Sequence, residues 1–197
     1  GAIPALDRVV RTAARVLRGP VSQLNGVTAD QQIPVSSVGG DAWGRTVDLD
    51  RSYCQYAIVS GRPLVVSDAR VDPLVADSLA TRESGIVAYL SIPIFSPRAS
   101  APLATLCVVD FQPRTWTHEE IATLGDLAAW ALSEIELRAG HLRDRLRAEA
   151  ALRTSEAHLR AIYDGTYEYI GLLSPDGILL DCNRASLEFA GRPREEE

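Results

Sequence analysis

Three cysteines, Cys54, Cys107 and Cys182, are the residues best suited to chemistry in this chain, and their spacing matches no metal-binding pattern. Cys54 stands in Arg51-Ser52-Tyr53-Cys54-Gln55-Tyr56. There a neighbouring guanidinium would lower its pKa and make it a redox-sensing thiolate. The alternative is a small buried hydrophobe, since free cysteine is among the most buried residue types. Cys107, inside Leu106-Cys107-Val108-Val109, reads as a structural strand residue, with a redox role as the alternative. The histidines, His118, His141 and His158, are scattered along one charged segment, and no Ser, His and Asp stand in a triad or nucleophile-elbow context. Glu119-Glu120 reads as a helix start and Glu195-Glu196 as a solvated tail. Gly39-Gly40-Asp41-Ala42-Trp43-Gly44 lacks the strand-to-helix setting of a phosphate loop and is expected to be a plain loop. No catalytic constellation emerges, and no metal site.

The composition is that of ordinary soluble globular material. The 197 residues are 46% hydrophobic and 23% charged, enough for one domain of ordinary size and part of another. A net charge of -6 argues against nucleic acid as the main partner. No run is long and apolar enough for a membrane span, and no signal peptide opens the chain. Every basic residue is arginine, and the absence of lysine removes Schiff-base chemistry. An odd number of cysteines without secretory context favours a reduced, cytoplasmic setting. The chain lacks an initiator methionine and stops in Arg194-Glu195-Glu196-Glu197, so it is expected to be a piece of a larger protein.

The elements that must position Cys54 and Cys107 are legible in order. Residues 3–17 carry Leu6, Val9 or Val10, Ala13 and Leu17 on one face, a helix closed by Gly19-Pro20. Residues 21–27 and 33–38 are strands turning at Thr28-Ala29-Asp30. A short helix over 51–61, capped by Gly61, leads to a strand over 63–67. A polar loop with a helical turn fills 68–85, and the two strongest strands cover 86–95 and 102–111. The expectation is an α+β domain whose helices lie on one face of an antiparallel sheet.

From Thr117 to about Ile162 the pattern is one long helix. Thr117 is a good N-cap, with acid behind it in the first turn. Ile121, Ala128, Ile135 and Leu142 recur every seven residues, accompanied by Leu124 and later by Leu146. The repeat then reaches Glu149, and Leu152 and Leu159 resume it out of phase, as a stammer would. The narrow apolar seam calls for a partner helix, so a homodimer pairing through Ile121, Leu124, Ala128, Ile135, Leu142 and Leu146 is expected. Trp116 and Trp130 are expected in the core or the seam.

Residues 3–138 resemble the GAF domains of bacterial signalling proteins. The resemblance rests on Leu6-Asp7-Arg8-Val9-Val10-Arg11, Ser52-Tyr53-Cys54 with Ala57-Ile58, and the run from Pro63 to Arg70. Asp72-Pro73, Ile92-Pro93-Ile94 and Leu106-Cys107-Val108-Val109-Asp110 complete it. It implies a sheet flanked by helices and a small-molecule pocket between the sheet and the central helix and loop. Tyr53, Cys54, Tyr89 and Asp110 are the pocket candidates, with the Trp43 loop beside them. The cyclic-nucleotide subset carries an Asn-Lys pair that a lysine-free chain cannot have, and the bilin subset has a cysteine followed by histidine, where this chain has Gln55. Haem would want a pocket histidine, and all three histidines fall on the long helix. These three cofactors are therefore not expected, and the ligand stays unidentified. A Cys54 and Cys107 pair would resemble the GAF enzymes that reduce free methionine sulfoxide.

After the long helix, Ile162-Tyr163-Asp164-Gly165, the run from Ile170 to Leu179 and Asn183-Arg184-Ala185 resemble the opening of a PAS domain. Physically this is a hairpin turning at Pro175-Asp176-Gly177 and a short helix that Asn183 would cap. A lone hairpin is marginal in water, so the segment is expected to be poorly ordered or packed on another copy. Together the resemblances imply a GAF domain over 1–138, a coiled-coil signalling helix over 139–160 and the N-terminal part of a PAS domain over 161–197. Such an input module would serve a sensor histidine kinase, or a diguanylate cyclase or serine phosphatase.

Overall fold

The computed structural model describes residues 3–40, 44–96 and 102–191, and these divide into two compact units, 1–138 and 139–197. The first unit opens with helix α1 (Pro4–Val16), whose N-terminal proline costs the helix no hydrogen bond. Strands β1 (Val21–Val27) and β2 (Gln31–Val38) form the expected hairpin. The two-residue strand β3 (Val47–Asp48), a single 3-10 turn and helix α2 (Cys54–Ser60) follow. Gly61 closes α2 in the left-handed conformation, φ 64°, which glycine adopts without the penalty of a Cβ. Strand β4 (Leu64–Val66), helix α3 (Leu79–Ser84), and strands β5 (Ala88–Phe95) and β6 (Pro102–Asp110) complete the domain.

The six strands form one sheet in the order β3-β2-β1-β6-β5-β4, with antiparallel neighbours throughout. Alternation along β5 and β6 then decides what each face holds. Ala88, Leu90 and Ile94 with Ala104, Leu106 and Val108 point to one side, where α1 contributes Leu6, Val9, Val10, Ala13 and Leu17. Tyr89 with Cys107 and Val109 point to the other, against Tyr53 and Ala57 at α2, Ala80 of α3, and Val75 and Ile86 of the connection. Helices thus cover both faces, which corrects the expectation of a one-sided arrangement. Near-continuous apolar runs in β5 and β6 are what two-sided burial requires.

Helix α4 (His118–Gly165) is 48 residues long and begins with a capping box. The Glu120 amide donates to the Thr117 hydroxyl at 3.1 Å, and Glu120 returns the bond to the Thr117 amide at 2.9 Å. Its first four turns lie in the α1-side core. Leu124, Leu127, Ala128 and Ala131 are buried there, and Ile121, Leu132 and Ile135 pack against it. Leu124 and Ala128, expected in a dimer seam, are therefore enclosed by the domain's own core and unavailable to a partner. Leu142 (59% exposed) and Leu146 (55%) are open. Trp116 is in the core as expected, whereas Trp130 is 41% exposed. The Trp116 indole N–H donates to the Val66 carbonyl at 3.0 Å, and the Arg114 guanidinium lies 4.2 Å from its ring centre.

The second unit contains the remainder of α4, a hairpin of β7 (Gly171–Leu173) and β8 (Leu179–Cys182), and helix α5 (Arg184–Phe189). Asn183 is its pin. Fully buried, it caps α5 by accepting from the Ser186 amide, accepts from the Ile170 amide at 3.1 Å, and donates to the Glu168 carbonyl at 2.8 Å. Leu172, Leu173, Ile178, Leu179 and Leu180 of the hairpin are all exposed. No helix among the described residues is long and apolar enough to cross a membrane.

Candidate functional site

The α2 side of the sheet holds a buried polar cluster and, beside it, a cleft. The cluster forms because β1 and β6 are the central strands and alternate polar residues along them point inward. Asn25, Thr105, Cys107 and Ser91 are all enclosed, and α2 lays Cys54, 1% exposed, on top of them. The Cys54 sulfur lies 2.9 Å from the Thr105 hydroxyl and 3.3 Å from the Tyr89 hydroxyl. The Asn25 side-chain amide donates to both sulfurs, at 3.7 Å each. Cys54 and Cys107 are therefore neighbours, sharing a donor.

This convergence separates the two thiols. Cys54 is drawn down from the ordinary thiol value to about 6, first by its hydrogen bond with Cys107; against burial, Ser52, Thr105 and Tyr89 also pull it down. Cys107 is pushed well above the ordinary value, first by the same hydrogen bond and then by burial. Burial raises Tyr89 well above an ordinary phenol and raises Tyr53 as well. Arg51, expected to activate Cys54, instead pairs with Glu83. Hydroxyl and thiol donors polarise this sulfur, which is shut off from solvent.

The cleft has a volume of about 300 Å³. Tyr53 and Tyr89, whose rings meet edge to face with centres 5.1 Å apart, line it with Ile86 and Val109. Gln23, Gln32 and Ser52 add buried polar groups, and the exposed Arg45, Arg51 and Glu83 stand at its rim. Of the pocket candidates, Tyr53 and Tyr89 line the cleft and Cys54 lies behind Tyr89. Asp110 does not line it: its carboxylate sits 3.5 Å from Arg114, in the connection that leads into α4. Trp43 falls outside the described residues. Sequence reasoning missed Asn25, Thr105, Gln23, Gln32 and Arg45. The signal was present in β1, where Ser22-Gln23-Leu24-Asn25 places polar residues in a strand buried on both faces.

Among the described residues, no three His, Cys, Asp or Glu side chains are grouped to hold a metal ion. The arrangement provides a partly enclosed cleft with a charged rim and a polarised thiol behind one wall. It can hold a small molecule, and it can exchange protons between paired thiols.

Known proteins place this architecture in a family. The GAF domain family model matches residues 2–135, and the chain belongs to that family of sensory modules. Solved structures share the fold at low identity. The GAF domain of a phosphoenolpyruvate-protein phosphotransferase from Coxiella burnetii is 18% identical, covering 72% of this chain and 89% of its own, with a TM-score of 0.57. Free methionine-R-sulfoxide reductase from Neisseria meningitidis, in complex with its substrate, is 19% identical over 66% of this chain and 75% of its own, TM-score 0.55. The domain of a "putative two-component sensor histidine kinase protein" from Sinorhizobium meliloti is 16% identical over 74% of this chain and 93% of its own, TM-score 0.51.

Proposed function

We propose that the chain is the sensory and dimerising input region of a cytoplasmic bacterial signal-transduction protein. In this reading the cleft beside Tyr53 and Tyr89 receives a small molecule, and α4 carries the response to the segment beyond. The observation that carries it is α4 itself: one helix whose start is built into the GAF core and whose later turns expose Leu142, Leu146, Leu152 and Leu159. Pairing of two such helices would cover those leucines, and a ligand would act by binding two arrangements of the pair unequally. Residues 161–197 are the opening of a PAS domain in this reading. The exposed leucines and isoleucine of the β7–β8 hairpin support that assignment, since the later strands of such a domain would cover them. A sensor histidine kinase is the proposed output, in keeping with the described parent of the S. meliloti domain.

Native mass spectrometry of the purified protein beside its denatured mass tests the reading. A dimer carrying extra mass that is lost on denaturation is the expected result. A bare monomer overturns it. Replacing Leu142 and Leu146 together with serine should leave the fold intact and yield a monomer in light scattering; a persisting dimer would show that the helix is not the interface.

The thiol pair favours a second reading, a redox switch or a methionine-sulfoxide-reductase-like enzyme using Cys54. Its discriminator is the Cys54→Ser protein, assayed with a thiol-labelling dye and for free methionine sulfoxide reduction. Unchanged labelling and no turnover in the parent dismiss it.

A further inference from the structure

The cleft carries more information than its existence. Its rim has two guanidinium groups against one carboxylate, although the chain as a whole is acidic. Arg51 is matched by Glu83. Arg45, exposed at the rim, makes no ion pair among the described residues. A planar guanidinium matches a carboxylate in shape as well as charge, which an ammonium does not.

Size narrows the choice. A cleft of about 300 Å³ lies at the lower end of the range usual for small-molecule sites, which favours a compact ligand. The floor defines the rest of it. Two tyrosine rings set edge to face, with Ile86 and Val109, suit a compact apolar body, since such rings accept flat or branched groups against face and edge. Gln23, Gln32 and Ser52, all buried, offer polar contacts along the way.

We infer that the cleft takes a small organic carboxylate with a compact apolar body, its carboxylate at Arg45 and its body against Tyr53 and Tyr89. The inference rests on the cleft being the sensory site proposed above. Arg51 gives the binding a structural consequence. It ties the turn before α2 to α3 through Glu83, and a carboxylate arriving at the rim competes for that guanidinium.

The test uses three probes of matched size on the whole 197-residue protein at low salt: phenylacetate, its neutral amide phenylacetamide, and the cation phenethylamine. Millimolar phenylacetate is expected to raise the melting temperature, while the amide and amine leave it unchanged. Arg45→Gln should weaken phenylacetate by about tenfold or more in calorimetry, with an unchanged circular dichroism spectrum. Glu83→Gln should bind it as well or better. Equal binding of acid and amide, preference for the amine, phenylacetate affinity undiminished in Arg45→Gln, or no response to phenylacetate each overturns the inference. The sensory reading fails separately. A neutral or cationic ligand found by native mass spectrometry would leave that reading standing and remove only the carboxylate.

Discussion

The two faces of one sheet have been built for different ends. On the α1 side the enclosed sheet residues are mostly aliphatic, and two helices close over Leu24, Leu90, Leu106 and Val108. The polar exceptions there are Ser22, bonded to the Cys107 carbonyl, and Ser36, bonded to Asp7 of α1. On the α2 side the same strands present Asn25, Tyr89, Ser91, Thr105 and Cys107, and the covering helices are only seven and six residues long. Adjacent residues on one strand therefore live in opposite environments. A dry face gains stability from close packing, whereas a polar face gives some of it up to hold groups that act. The difference teaches where this domain can change without unfolding: on the side of the short helices.

The sharpest way to break that contrast is to cut into the dry face. Leu90→Ala should cost about 2–5 kcal/mol, because the side chain is fully enclosed and its truncation leaves a cavity in the core. Urea unfolding reads it, and a loss under about 1 kcal/mol would mean that the α1-side core is loosely packed. Next comes Thr105→Val on the other face, at about 1 kcal/mol for a lost hydrogen bond of conserved shape. Its larger signature is chemical: with that donor gone the Cys54 pKa should rise, seen as a later onset of thiolate absorbance near 240 nm.

The pH dependence of stability separates the faces as well. Cys54 titrates below the unfolded thiol value of about 8.5, so its contribution is present above that value and lost as pH falls through about 6. Cys107 titrates above it, so its contribution is present below about 8.5 and is lost as pH rises towards its folded value. Under reducing conditions stability should climb from about pH 6 to about 8.5 and then decline, and the profile should flatten in a Cys54→Ala, Cys107→Ala protein. The smallest effect belongs to Ser91→Ala, one residue from Leu90. Its buried hydroxyl has no hydrogen-bond partner among the described residues, so removal should leave the unfolding midpoint unchanged or higher. A clear loss would reveal a partner for that hydroxyl.

The elements were legible because their signals are local. Gly61 ended α2, Thr28-Ala29-Asp30 turned the first hairpin, and Thr117 began α4, each by its own backbone or side-chain chemistry. Expectations went astray where the deciding contacts are distant. A seven-residue spacing describes one stripe of a helix and says nothing of what covers it, so Leu124 and Ala128 looked like seam residues while serving the domain's own core. The surroundings of Cys54 were equally out of reach. Its neighbours Asn25, Tyr89 and Thr105 lie 29, 35 and 51 residues away and meet only through the pairing of β1, β6 and β5. Arg51, adjacent in sequence, turned instead to Glu83.

The Trp116 indole, hydrogen-bonded to the Val66 carbonyl of β4 beneath an arginine, makes the domain its own optical gauge. Trp116 is enclosed and Trp130 is partly open, so the two should emit at different wavelengths. Any rearrangement on the α2 side that pulls β4 from the start of α4 would register as a red shift of the enclosed component. If the cleft signals to the helix as proposed, a Trp43→Phe, Trp130→Phe protein would let that change be followed without a label, by the light of one residue.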